Sequence, residues 1–156
     1  MMFSTASLLA ALALLPTLTL SAPALGSAKN VYIARCEPND CFLGLLCEDP
    51  FTVVAYFRSG GITSENSTPT TLASLTGRNT AFEGTKRSVS VGADGTFVTN
   101  INADAKRAAK GSLVGDATLG TEPFVCFKDT ETKFTVKYDL EKYTCTADYW
   151  CPSVQV

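Results

Sequence analysis

The chain has 156 residues with 13 basic and 15 acidic side chains, a formal charge of −2, and 46% hydrophobic, 10% aromatic and 18% charged residues. That length suits one domain around a single core, and the apolar share is enough to offset the entropy of chain ordering, which excludes wholesale disorder. Histidine is absent, which removes the commonest general base, the usual partner of a Ser or Cys nucleophile and the most frequent metal ligand.

Residues 1–25 carry no charged side chain, and residues 8–20 are a run of Leu, Ala and Thr broken by Pro16. The pattern reads as the hydrophobic region of a secretory signal peptide, although the only positive charge before it is the α-amino group. Ser21-Ala22-Pro23-Ala24 supplies small residues for signal peptidase, and Gly26-Ser27-Ala28 offers a second site. A cut after Ala24 is expected, leaving residues 25–156 as a single secreted domain. A retained anchor would need roughly 20 unbroken apolar residues and basic flanks. Pro16 and Pro23 argue against it, so no membrane span is expected in the mature chain.

Strand signals dominate residues 29–156. Residues 29–36 and 51–58 read as the first two strands. The region from Gly60 to Pro69 is rich in Gly, Ser and Thr and reads as an exposed loop. Residues 69–75, before Gly77, have the composition of a helical turn. Residues 87–91 and 96–101 flank Gly92-Ala93-Asp94-Gly95, whose Asp-Gly pair predicts a hairpin. Residues 104–110 form a second candidate helical turn, with Asp104 as N-cap and Gly111 as stop. Residues 123–127, 133–138 and 143–147 then read as a three-stranded meander. Within it Phe134, Val136 and Tyr138 share one face while Lys133, Thr135 and Lys137 share the other. The predicted class is all-β, an antiparallel sandwich or barrel with at most short helical turns.

Six cysteines, Cys36, Cys41, Cys47, Cys126, Cys145 and Cys151, all lie beyond the leader. An even number in a small exported chain predicts a disulfide framework of three bridges, with 15 pairings open. Zinc is disfavoured because the spacings contain no CxxC knuckle and there is no histidine. No cofactor is called for.

Asn66-Ser67-Thr68 is an N-glycosylation sequon in the predicted loop. Lys86-Arg87 and Lys106-Arg107 are dibasic pairs, which in a secreted chain are candidate processing sites. Cleavage at both would excise residues 88–107 and break the predicted hairpin, so the plainer reading is solvated charge. Tyr149 and Trp150 are candidate contact residues for a sugar or protein, set against a reading that packs Trp150 on a disulfide in the core. Glu48, Asp49, Glu83, Asp116 and Glu122 could supply an acid–base pair for glycoside hydrolysis, but nothing in their spacing brings two together. Lys and Arg alternate with acids and the sequence pI is about 5.1, so nucleic acid is not an expected partner.

Several segments carry a resemblance. They are the Ala/Leu/Thr-rich leader, Val31-Tyr32-Ile33-Ala34-Arg35-Cys36, Glu122-Pro123-Phe124-Val125-Cys126-Phe127-Lys128-Asp129 and Tyr143-Thr144-Cys145-Thr146-Ala147-Asp148-Tyr149-Trp150-Cys151-Pro152. With these features the chain resembles the small secreted cysteine-containing proteins of filamentous fungi, a group that includes effectors and elicitors of plant defence. In length and expected β-barrel character it is similar to the Alternaria major-allergen family, whose cysteines do not align with these six. The resemblance implies an extracellular, non-enzymatic protein that acts by binding a host protein or a cell-surface glycan. The alternatives are a small carboxylate-dependent hydrolase and a killer-toxin-like product of dibasic processing.

Overall fold

The computed structural model describes residues 28–40, 49–75, 80–138 and 141–154. The leader, the Ala24 cut, Cys41, Cys47 and Glu48 lie outside them. Among the described residues there are nine antiparallel strands: β1 (Asn30–Pro38), β2 (Phe51–Phe57), β3 (Thr71–Leu75), β4 (Arg87–Ser90), β5 (Thr96–Ile101), β6 (Leu113–Leu119), β7 (Glu122–Lys128), β8 (Lys133–Tyr138) and β9 (Glu141–Pro152). Hydrogen bonding runs β3-β2-β1-β9-β7-β6-β5-β4, with β8 added to β9. The end strands β3 and β4 approach each other without a ladder, so the sheet curls into a nearly closed barrel. Arg58 after β2 and Asp94 in the β4–β5 turn pair across this seam, with Nε to Oδ1 at 3.2 Å and Nη2 to Oδ2 at 2.6 Å. This two-pronged geometry suits guanidinium and carboxylate.

Two cores share the hairpin of β1 and β2. Val31, Ile33, Val54 and Tyr56 point into the barrel, where they meet Phe97, Ile101, Phe124, Tyr149 and the Cys126–Cys151 bridge. Tyr32, Ala34, Cys36, Val53, Ala55 and Phe57 point the other way, into a second core closed by Phe134 and Val136 of β8. A strand buried on both faces needs an unbroken apolar run rather than alternation, which is what Val31-Tyr32-Ile33-Ala34 and Val53-Val54-Ala55-Tyr56-Phe57 supply.

β9 serves both cores because of one extra residue. Ile33 pairs with Tyr149 and Ala34 with Ala147, so Asp148 is bulged out of the ladder. The bulge resets the two-residue alternation. Tyr143, Cys145 and Ala147 therefore face the second core, and Tyr149 and Cys151 face the barrel.

Three sequence expectations are corrected. Residues 123–147 are not a simple meander: β7 and β8 do not pair with each other but lie end to end along the same edge of β9. The connection between them plugs into the bulge, with Asp129 N–H donating to Asp148 O at 3.0 Å and Ala147 N–H to Thr132 O at 2.9 Å. The stretch read as a helical turn at 69–75 contains strand β3, since Leu72 packs on the second core while Ala73 and Leu75 pack on the barrel. Pairing with the edge of β2 prevails because so short a helix nucleates poorly. The 104–110 stretch keeps only a 3-10 turn, Ala105–Arg107, and Asp104 makes no side-chain cap. β6 went unread because Gly115 and Asp116 interrupt its apolar pattern.

The all-β, disulfide-stabilised architecture is as expected. Cys36 pairs with Cys145, linking the early and late cysteines across neighbouring strands 109 residues apart, and Cys126 pairs with Cys151. Among the described residues no helix is long and apolar enough to cross a membrane.

Candidate functional site

Two outward-facing concavities collect the chemistry-bearing residues. The first is a cleft of about 190 Å³ beside the β9 bulge, walled by Glu83, Lys106, Asp148, Tyr149 and Arg35. Its geometry derives from the strand phase. Tyr149 is 1% exposed, with its ring in the barrel core, and its hydroxyl donates to Glu83 Oε1 at 2.5 Å. Asp148, displaced by the bulge, stands at the mouth with its side chain 55% exposed and 3.8 Å from Lys128 Nζ. Lys106 Nζ lies 3.7 Å from Glu83 Oε2.

The two carboxyls are tuned in opposite directions. Partial burial works to raise the Glu83 carboxyl, but the Tyr149 hydroxyl, backbone hydrogen bonds at Glu83 and Phe82 and the Lys106 charge together outweigh it and hold the pKa below the ordinary value. Partial burial lifts Asp148 above the usual carboxylate range, the Lys128 charge opposes that, and the Glu83 charge adds to the rise. Burial, then the hydrogen bond to Glu83, pushes the Tyr149 phenol far up, so it stays protonated. The cleft thus holds one carboxylate that remains ionised and one that retains its proton more readily.

The second concavity is a groove of about 390 Å³ between the 64–67 turn and β8, lined by Asn66, Pro69, Leu72, Val136, Lys137 and Lys142 among others. Ser67 N–H donates to Ser64 O at 3.0 Å, closing a turn that carries Asn66 at its exposed tip. Thr135 N–H donates to Glu65 O at 2.7 Å, which fixes the turn onto β8. Lys137 and Lys142 are direct cross-strand neighbours.

The sequence-derived candidates scatter over the molecule. Tyr149 and Trp150 do not form one platform, because successive strand residues face opposite sides. Trp150 is half-buried on the second core, stacks 5.8 Å from Phe127 and donates Nε1–H to Asn30 Oδ1 at 2.8 Å. Trp150 thus packs against the core that holds the Cys36–Cys145 bridge, while its neighbour Cys151 projects into the barrel. Lys86 is exposed, and Arg87 begins β4 with its Nε–H donating to Ala81 O at 3.0 Å. Lys106 and Arg107 are exposed on the 3-10 turn. Residues 88–107 include Val89, Val91, Phe97 and Ile101 of the barrel core, so their excision would empty much of that core.

Of the candidate acids read from the sequence, Glu83 alone among the described ones, Asp49, Glu83, Asp116 and Glu122, lines the cleft. Asp49 is exposed and Asp116 lies in a separate concavity with Lys86. Glu122 is occupied by Lys29 and by Ser153, whose hydroxyl donates to Oε1 at 2.5 Å. Sequence reasoning missed Asp148 as the partner of Glu83, because only the bulge turns it toward that wall. Among the described residues no group of three His, Cys, Asp or Glu is placed to hold a metal ion.

Compared with family models, curated proteins and solved structures, the chain matches none.

Proposed function

We propose that the chain is an exported, non-enzymatic protein of the effector or elicitor type, which meets a host protein or cell-surface glycan through its outer surface. The observation that supports this most is the double core. The barrel interior is filled by Val31, Ile33, Phe97, Phe124 and Tyr149, and the opposite face of β1–β2 is filled by the second core, so both described concavities lie outside. Two cross-strand disulfides add to it, since such bridges persist in oxidising compartments.

The test is expression of the full chain in a secreting host. Oxidised protein is recovered from the medium and applied to plant tissue beside a reduced and alkylated sample. A defence or cell-death response to the folded form alone supports the reading. Retention inside the cell with free thiols, or a response that ignores folding, overturns it.

One observation favours a second reading, a small carboxylate hydrolase: Glu83 and Asp148 face one cleft with pKa values driven apart, as an acid–base pair requires. Turnover of a polysaccharide panel, lost in both Glu83→Gln and Asp148→Asn, would replace the binding reading with this one.

A further inference from the structure

We propose that Asn66 carries an N-linked glycan whose first sugars lie in the groove between the 64–67 turn and β8, clamping the turn to the edge of the second core. The inference rests on the export reading, because the glycan is added along the secretory route. Its occupant is named by the molecule itself. The sequon asparagine is exposed at the tip of its own turn and is also part of the groove wall.

The groove has the chemistry for a sugar. Pro69 and Leu72 present half-buried apolar surface to the C–H faces of a pyranose ring. Lys137 and Lys142, directly opposite each other on β8 and β9, present donors to its hydroxyl and acetamide oxygens. Two like charges in that register repel, and an acceptor-rich ligand between them relieves the repulsion. A sugar tethered through Asn66 also has a high effective concentration at the groove, so contacts too weak to hold a free saccharide are enough. The turn it would brace is attached to β8 through Glu65 and Thr135.

The experiment uses the full chain secreted from a eukaryotic host, with peptide mass mapping of Asn66 and thermal unfolding before and after enzymatic removal of the glycan. Expected results are an occupied Asn66 and a Tm that falls by about 2–4 °C on removal. Thr68→Ala, which abolishes the sequon from an exposed position, should give the same lower Tm. The double variant Lys137→Ala/Lys142→Ala should remain glycosylated but lose most of the Tm difference, as a coupling between contacting groups requires. An exported chain with bare Asn66 overturns the inference and leaves the export reading standing. An occupied Asn66 with no Tm difference, or with a difference unchanged in the double-lysine variant, overturns the seating of the glycan. A chain that is never exported sinks both.

Discussion

The Tyr149 hydroxyl and the Glu83 carboxylate stand 2.5 Å apart and join the barrel core to the wall of the cleft. Tyr149 can be buried because its polar end meets an acceptor, and Glu83 can sit in a partly dry wall because it accepts that hydrogen bond. Tyr149→Phe keeps the packing and removes one hydrogen-bond donor from the carboxylate. Urea denaturation monitored by Trp150 fluorescence should show a loss of about 1–3 kcal/mol. A change within error would mean that solvent already satisfies Glu83.

The same pair gives the acid limb of stability. Because the folded pKa of Glu83 is depressed, its contribution is complete above the ordinary carboxylate pKa and is lost as pH falls through the lower folded value. Glu83→Gln should flatten that limb below about pH 4.5, read as the pH dependence of the urea midpoint.

Asp148 has the opposite sign. Its folded pKa is raised, so the folded state holds the proton more tightly and stability declines as pH rises from the ordinary carboxylate value through the folded one. Asp148→Asn should therefore be neutral near pH 3.5 and gain a few tenths of a kcal/mol at pH 7, a small effect because the side chain is over half exposed. Paired denaturation curves at the two pH values measure it, and a loss at pH 7 would show that the Lys128 pairing outweighs burial.

The two disulfides close loops of different length. In the chain-entropy account, the 109-residue separation of Cys36 and Cys145 contributes about 4.8 kcal/mol and the 25-residue separation of Cys126 and Cys151 about 3.5 kcal/mol. Paired Cys→Ser replacement at the first bridge should thus cost about 1 kcal/mol more than at the second. The loops overlap, so each bridge shortens the loop the other closes, and removing both should cost less than the sum of the two isolated-loop values. Equal losses would assign the stabilisation to native packing instead.

Gly115 of β6 leaves no room for a side chain against β5. A Cβ there would fall 2.4 Å from Asn100 O and 3.0 Å from Ile101 Cα, both backbone. Gly115→Ala should cost about 1–3 kcal/mol by forcing the strands apart, seen as a lowered Tm, whereas Gly95→Ala meets open space and tests backbone conformation alone, at φ 108°.

Much of the architecture was legible in the residues themselves. Short β-branched and aromatic runs marked β1, β2, β5, β7 and β8, and Asp94-Gly95 marked the β4–β5 hairpin, because these signals act within a few neighbours. The even cysteine count pointed to bridges, two of which are seen. The candidate site was legible only in part: Glu83 stood among the acids, while Asp148 did not.

What the chain alone determined was its class: enough apolar residues with period-two spacing to make antiparallel strands, and cysteines able to tie them. Tertiary structure alone decided that β1 and β2 are covered on both faces, that Cys36 reaches Cys145, and that residues 69–75 supply a strand. It also decided that one extra residue in β9 hands its side chains from one core to the other. Local propensity cannot encode that last feature, because a bulge is defined by the partner strand's register. Only when Ile33 and Ala34 have chosen Tyr149 and Ala147 is Asp148 left over to face the cleft.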